Sequence, residues 1–232
     1  MTTLPPIPTP PPLGQTSRAG WGDGRPTGLS RATIGLTGGV ALLTLLGAWA
    51  SLSVYDDYDR YVGPEPAYDA PYIASQILQS FSSLLMIGSY ATLALWMTKV
   101  HKRLTDAGER MPLAAVWAWF VWLIPLASMV MPYIYFRGLN RRAKARTVGV
   151  WWLTYLGSGV ASMVGLAQVI AASDFSEAFK DQNDLFAGID MSPLGAAGIV
   201  SAVILAVSWV FLALTLRAIT ARDVADRDPL LP

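Results

Sequence analysis

Two clusters of cations flank an aromatic stretch, and these are the residues of the 232-residue chain whose types and spacing best suit binding. Lys99, Lys102 and Arg103 precede the stretch; Arg137, Arg141 and Arg142 follow it. Between them lie Trp117, Trp119, Trp122 and Tyr133. Cations beside indole and phenol rings suit a phosphate headgroup at a membrane boundary. The charge meets the phosphate, and each ring buries its body while its N–H or O–H stays wet. Each Lys or Arg near an anionic leaflet contributes about 1 kcal/mol of attraction. These residues form a candidate collar for anionic lipid headgroups or for a protein partner within the membrane. The plainer roles are interfacial anchoring for the rings and topology determination for the cations, and the two kinds of role are compatible.

A second constellation is neutral. Gln76, Ser80 and Ser83 fall at spacings of four and three, so a helix places them on one face; Ser75, Gln79 and Ser82 form an adjoining stripe. In lipid such groups are costly, so this face is expected to turn toward other helices or a wet cavity. As interhelical hydrogen-bonding glue, each contact contributes about 0.6 kcal/mol on average. As a pathway lining, the stripe would serve a small transporter or permeation protein. No charged residue joins it, whereas coupled transporters usually hold ionisable groups at mid-membrane, so glue is the expected role.

Searches for catalysis return nothing. The chain has no cysteine and one histidine, which excludes thiol nucleophiles, thiolate metal sites and His-rich metal centres. It lacks the spacings of a nucleophile elbow, a zincin helix, a phosphate-binding loop or a dinucleotide fingerprint. Asp56, Asp57 and Asp59 lack the alternating ligands of a calcium loop and are expected in a solvated acidic connection. His101, inside the first basic run, is expected to be a solvated loop residue. No cofactor, metal or nucleic-acid partner is implied, and the expected class is non-enzymatic.

The elements that must position these residues are apolar. Hydrophobic residues make up 53% of the chain and charged residues 14%, against about 25% charged in soluble domains. Five stretches free of Lys, Arg, Asp, Glu and His run over about Ala32–Val54, Tyr72–Thr98, Leu113–Phe136, Val148–Ala172 and Leu194–Leu216. Each reaches the length of about 20 residues that a helix needs to cross a bilayer. Helices are the expected form because they satisfy their own backbone hydrogen bonds in lipid.

The charges in the connections decide how many stretches cross. Both flanks of the third stretch are basic, while the connections after the first and fourth are acidic. If the third stretch dips in and returns, 15 of the 17 Lys and Arg residues lie on one side and 10 of the 16 acidic residues on the other. Cations collect on the cytoplasmic side, so both termini are expected there, in the plasma membrane. Pro125 and Pro132 favour the dip, since each removes a backbone donor and disfavours helix continuation. The expected architecture is an all-α membrane protein with four transmembrane helices and a proline-broken re-entrant or interfacial segment; five full spans is the alternative.

Residues 1–30 contain seven prolines and five glycines and are expected to be a disordered cytoplasmic tail, with a PxxP docking motif at Pro5–Pro8 as its alternative use. The helical membrane domain is expected over 31–222 and a short polar tail over 223–232. A short amphipathic helix is expected within 174–190. Gly35 and Gly39, then Gly157, Ala161 and Gly165, then Gly198, Ala202 and Ala206 recur at four-residue intervals, marking faces where backbones approach closely.

The runs LWMTKVHKRLTDAG, VWAWFVWLIPLASMVMPYIYFRGLNRRA and VGVWWLTYLG, with the closing LTLRAITAR, resemble a largely actinobacterial membrane family known as domain of unknown function 4328. Trp96 precedes the basic run Lys99, Lys102 and Arg103. Trp122 with Pro125, then Pro132-Tyr133, match a W-F-x-P segment that ends in P-Y, and Trp151-Trp152 match a paired Trp. Ser128 and Arg103 stand where that family usually has Asn. The resemblance spans roughly residues 35 to 222 and implies a multi-span fold, with no activity attached.

Overall fold

The computed structural model describes residues 27–56, 61, 69–172 and 190–225. All regular elements among them are helical. In chain order they are α1 (Thr27–Asp56), α2 (Ala70–Asp106), three short helices α3 (Trp117–Phe120), α4 (Pro125–Ser128) and α5 (Met131–Leu139), then α6 (Thr147–Ala172) and α7 (Ser192–Ala225). Four of them, α1, α2, α6 and α7, are long and apolar enough to cross a membrane. Only 17–33% of their most apolar windows is buried within the protein. Leu46, Trp49, Phe81, Leu153 and Met163 all face outward. Such surfaces suit lipid. The chain is an integral membrane protein.

The ends of α2 are set by local chemistry. Asp69 caps its start by accepting from the Tyr72 backbone N–H at 3.4 Å, and its carboxylate also accepts from the Tyr61 hydroxyl at 2.9 Å. At the other end Gly108 adopts φ +84°, a left-handed conformation that glycine takes without a Cβ penalty. The following Glu109 N–H then bonds back to the Leu104 carbonyl at 2.9 Å. At 37 residues α2 is about 55 Å long, far more than the roughly 30 Å of hydrocarbon. Its final turns therefore project past the apolar layer. The helix runs on beyond Thr98 and takes the whole basic run with it, which corrects the expectation of a loop there.

The long helices form an arc in the order α2, α1, α7, α6, with packing between each neighbouring pair. The third apolar stretch sits between α2 and α6 at one end of that arc. One apolar cluster there gathers Leu104 near the end of α2, Val148 at the start of α6 and Ile219 near the end of α7, and Leu29 at the start of α1 packs against it. Those four helix ends therefore lie together, and residues 107–146 leave and return at the same end. Each proline opens a short helix, Pro125 as the first residue of α4 and Pro132 in the first turn of α5. That position suits proline, whose missing N–H would have had no intrahelical partner. Leu123 before α4, Leu126 within it and Met129 after it are exposed, a lipid-facing tip. The re-entrant architecture stands in place of five full spans.

The first helix begins at Thr27 and the last continues to Ala225. Most of the proline-rich tail, Asp57 and Asp59, the 174–190 stretch apart from Asp190 and the end of the chain lie outside the described residues. At the start of α7 the Ser192 hydroxyl and backbone N–H hold the Asp190 carboxyl below its usual range.

Small residues set the helix contacts only in part as expected. Gly35 is exposed and open, while Gly38 lies against Trp209, whose indole N–H donates to the Ile34 carbonyl at 3.0 Å. Of the GxxxG pair, Gly39 does pack closely, since a Cβ there would fall 3.0 Å from a Leu85 methyl of α2, whereas Gly35 does not. On α6, a Cβ at Gly165 would collide with the Ala197 Cβ and come within 3.1 Å of the Pro193 carbonyl oxygen. Gly165→Val is therefore expected to push α6 and α7 apart and cost about 1–3 kcal/mol, read as a lowered thermal midpoint in detergent. Gly159→Ala on the same helix meets nothing within 4 Å and is expected to leave that midpoint unchanged or raise it.

Candidate functional site

The buried interior is concentrated at the end that carries the cations. Trp96, with no exposed surface, stacks on Phe136 at 6.1 Å between centroids and donates its indole N–H to Thr220 at 3.2 Å. Phe136 meets Trp151 at 4.5 Å. Trp122 lies 6.5 Å from both Trp151 and Trp152 and 6.1 Å from Tyr155. These separations are those of attractive offset and edge-to-face pairs. The aromatic collar residues Trp117, Trp119, Trp122 and Tyr133 pack against this cluster. Tyr90 on α2 also donates its hydroxyl to the Trp119 carbonyl and fixes the incoming limb of the re-entrant segment. The rings hold the segment in place, and none of those four lines the basic pocket described below.

His101 is a correction. It is helical and buried, with Nδ1 2.9 Å from the Tyr135 hydroxyl. The cause is helical spacing: His101 shares a face with Met97 and Leu104, both in the core. Burial also pushes the Tyr135 phenol well above its usual range, so Tyr135 remains a neutral hydrogen-bonding group. Tyr135→Phe leaves the imidazole nitrogen buried without that partner and is expected to cost about 1–3 kcal/mol. The check is thermal unfolding of Tyr135→Phe beside the double variant His101→Phe/Tyr135→Phe. The double variant should recover part of the loss.

The cationic residues divide into three groups. Lys99 and Lys102 are exposed on the outer face of α2. Arg137 and Arg141 border a depression with Pro112, Ile134 and Gly138. Gly138 is needed there for close approach, since a Cβ would fall 2.7 Å from a Pro112 ring carbon. On the other side, Arg103 and Arg142 line a pocket of about 290 Å³ together with Arg222. Its apolar wall is Val100, Leu104, Leu139 and Ile219, and Asp106 also borders it.

Each arginine of this pocket comes from a different element. Arg103 is on the last turn of α2 and Arg222 near the end of α7. Arg142 sits in the turn after α5, which Asn140 holds shut. Its side-chain amide donates to the Ala145 carbonyl at 2.8 Å and its oxygen accepts from the Ala145 N–H at 2.9 Å. Lys144 takes φ +51° inside that turn. Arg142 also pairs with Glu109 at 3.2 Å. Arg222 is the residue that sequence reasoning left out of the collar. It is visible as a cation after the last apolar stretch, but spacing along the chain does not show that α7 ends beside α2.

The neutral stripe of α2 divides as well. Gln76, Gln79, Ser80 and Ser83 are exposed, against the expectation that this face turns inward. Ser80 and Ser83 donate to the Gln76 and Gln79 carbonyls at 2.8 and 2.9 Å, which lowers the cost of facing lipid. Gln76 lies six residues into α2, about 9 Å along its axis, within reach of the interface. Ser82 does turn inward and meets Thr44 of α1 at 3.3 Å.

No curated protein and no solved structure matches the chain. A family model described as Domain of unknown function (DUF4328) matches residues 67–221, which takes in α2, the re-entrant segment, α6 and nearly all of α7, and leaves α1 outside. The aromatic core, the proline-opened helices and the turn carrying Arg142 all fall within that match, and the chain belongs to this family of unknown function.

Proposed function

We propose that this is a non-enzymatic membrane protein, a scaffold or accessory subunit, that holds an anionic lipid headgroup in the pocket between Arg103, Arg142 and Arg222. The convergence of three guanidinium groups from three elements on one pocket with an apolar wall carries this reading. Guanidinium forks bind phosphate bidentately, and an apolar wall receives the glycerol and upper acyl chain. Asp106 and the Glu109 partner of Arg142 moderate the positive charge there. The asymmetry of Lys and Arg supports a cytoplasmic side for this end of the bundle, and with it a plasma-membrane protein whose termini both lie inside.

The test is lipid retention. Protein reconstituted in bilayers with equal fractions of phosphatidylglycerol and phosphatidylcholine is released into native mass spectrometry. The reading expects phosphatidylglycerol to be retained preferentially, with the preference falling as salt rises during exchange. Equal retention of the two lipids would overturn it.

A further inference from the structure

At the end opposite the arginine pocket the arc is open. The re-entrant segment fills the space between α2 and α6 only at the basic end, and elsewhere these two helices do not pack along their length. What remains is a cleft of about 330 Å³, floored by α1 and α7 and flanked by α2 and α6. That volume lies at the lower bound of small-molecule sites, about 300–1,000 Å³.

The lining is polar and uncharged: hydroxyls of Ser51, Ser82, Ser162 and Ser201, and the amide of Gln79. Some of these groups are already satisfied. Ser162 donates to Ser201 at 2.9 Å, and Ser201 donates to the Ser158 carbonyl at 2.8 Å. Two are not. Ser51 is 5% exposed, lines the cleft and has no hydrogen-bond partner among the described residues. Thr33 and Thr37 on the same helix do bond back to their own turn, at 2.8 and 2.7 Å. The Gln79 amide also lacks a partner among the described residues. The hydroxyl of the buried residue Ser51 and the amide of the exposed Gln79 are thus left for an occupant of the cleft that supplies donors and acceptors.

We propose that this cleft binds an uncharged, hydroxyl-bearing headgroup, that of a neutral glycolipid entering sideways between α2 and α6. The described lining has no Lys, Arg, Asp, Glu or His. A phosphate there would have no counter-charge and would pay its desolvation unrelieved. Leu43, Ala48 and Leu194 add apolar surface beside the hydroxyls, which suits the glycerol and first methylenes of a lipid. The site is independent of the arginine pocket at the other end, and either proposal can fail without the other.

The experiment uses the full chain in bilayers doped with equal fractions of monoglucosyl diacylglycerol and phosphatidylglycerol, with bound lipid read by native mass spectrometry. Two variants probe the cleft. Gly198 lines it, and a Cβ there meets nothing within 4 Å, so Gly198→Leu adds a side chain at the cleft from an uncrowded backbone position. Ser51→Ala with Gln79→Leu removes the unpartnered groups. The expected result is at least a tenfold loss of bound glucosyl lipid in both, with phosphatidylglycerol retention and thermal midpoint unchanged. Competition by free glucose at millimolar concentration would keep the hydroxyl chemistry and assign the occupant to the aqueous phase. Glucosyl lipid bound equally by wild type and Gly198→Leu would overturn the proposal. So would a Ser51→Cys variant that disulfide-links two copies while no lipid is retained, which would make a second copy the occupant.

Discussion

Arg103→Gln/Arg142→Gln/Arg222→Gln is expected to lose phosphatidylglycerol at least tenfold more readily than the wild type, with its thermal midpoint in detergent little changed. Three cations near an anionic headgroup contribute about 1 kcal/mol each, and 1.4 kcal/mol is a factor of ten in affinity. The full sum would exceed a hundredfold. The nearby carboxylate of Asp106 and the Arg142–Glu109 pair reduce it. Exposed ion pairs contribute about 0–1 kcal/mol, so losing the Glu109 pair moves stability little. Arg137→Gln/Arg141→Gln removes two charges from a different depression and is the control. It lowers the general attraction to an anionic surface but leaves the pocket intact, so its effect should stay within a few fold. Equal losses in the two variants would mean that the cations act only as a diffuse collar.

The largest stability effect is expected at Trp96. Trp96→Ala removes a side chain with no exposed surface from the centre of the aromatic cluster, together with its hydrogen bond to Thr220. Large-to-small changes of this kind cost about 3–5 kcal/mol, because the surroundings collapse only partly. The ring touches α5 through Phe136 and α7 through Thr220, so its loss loosens the seat of the re-entrant segment. Trp49→Ala is the contrast. Trp49 is 72% exposed on α1, and its removal is expected to change stability by no more than about 0.5 kcal/mol. Thermal unfolding in one detergent compares the two directly. Similar losses would mean that the cluster around Trp96 is not the stabilising core.

Much of the fold was legible because lipid imposes simple demands. Four stretches free of charge and long enough to cross read directly as spans. The third was distinguished by Pro125 and Pro132 and by the cations on both its flanks, and the prolines do open short helices that return to the same end. Less legible were features that depend on which helix ends meet. His101 looked solvated because Lys99, Lys102 and Arg103 surround it. The signal that would have placed it inside was present, since Met97, Val100 and Leu104 continue an apolar face through the basic run. Arg222 joins the pocket only because α7 ends beside α2. The neutral cleft follows from the failure of α2 and α6 to pack, and no spacing in the sequence encodes that. Gln76 and Ser80 faced outward because short side chains bonding to their own helix, and a position near its end, relieve the cost that had argued for an inward face.

The central claim is that residues 107–146 leave and return at one end of a four-span bundle. The native chain has no cysteine, so single cysteines report without background. Cysteines placed at Ala107, Ala145 and Ala221 should react with a membrane-impermeant maleimide from the same side, the cytoplasmic one, and a cysteine at Asp56 only from the other. Labelling of Ala145 from the side that labels Asp56 would contradict the account.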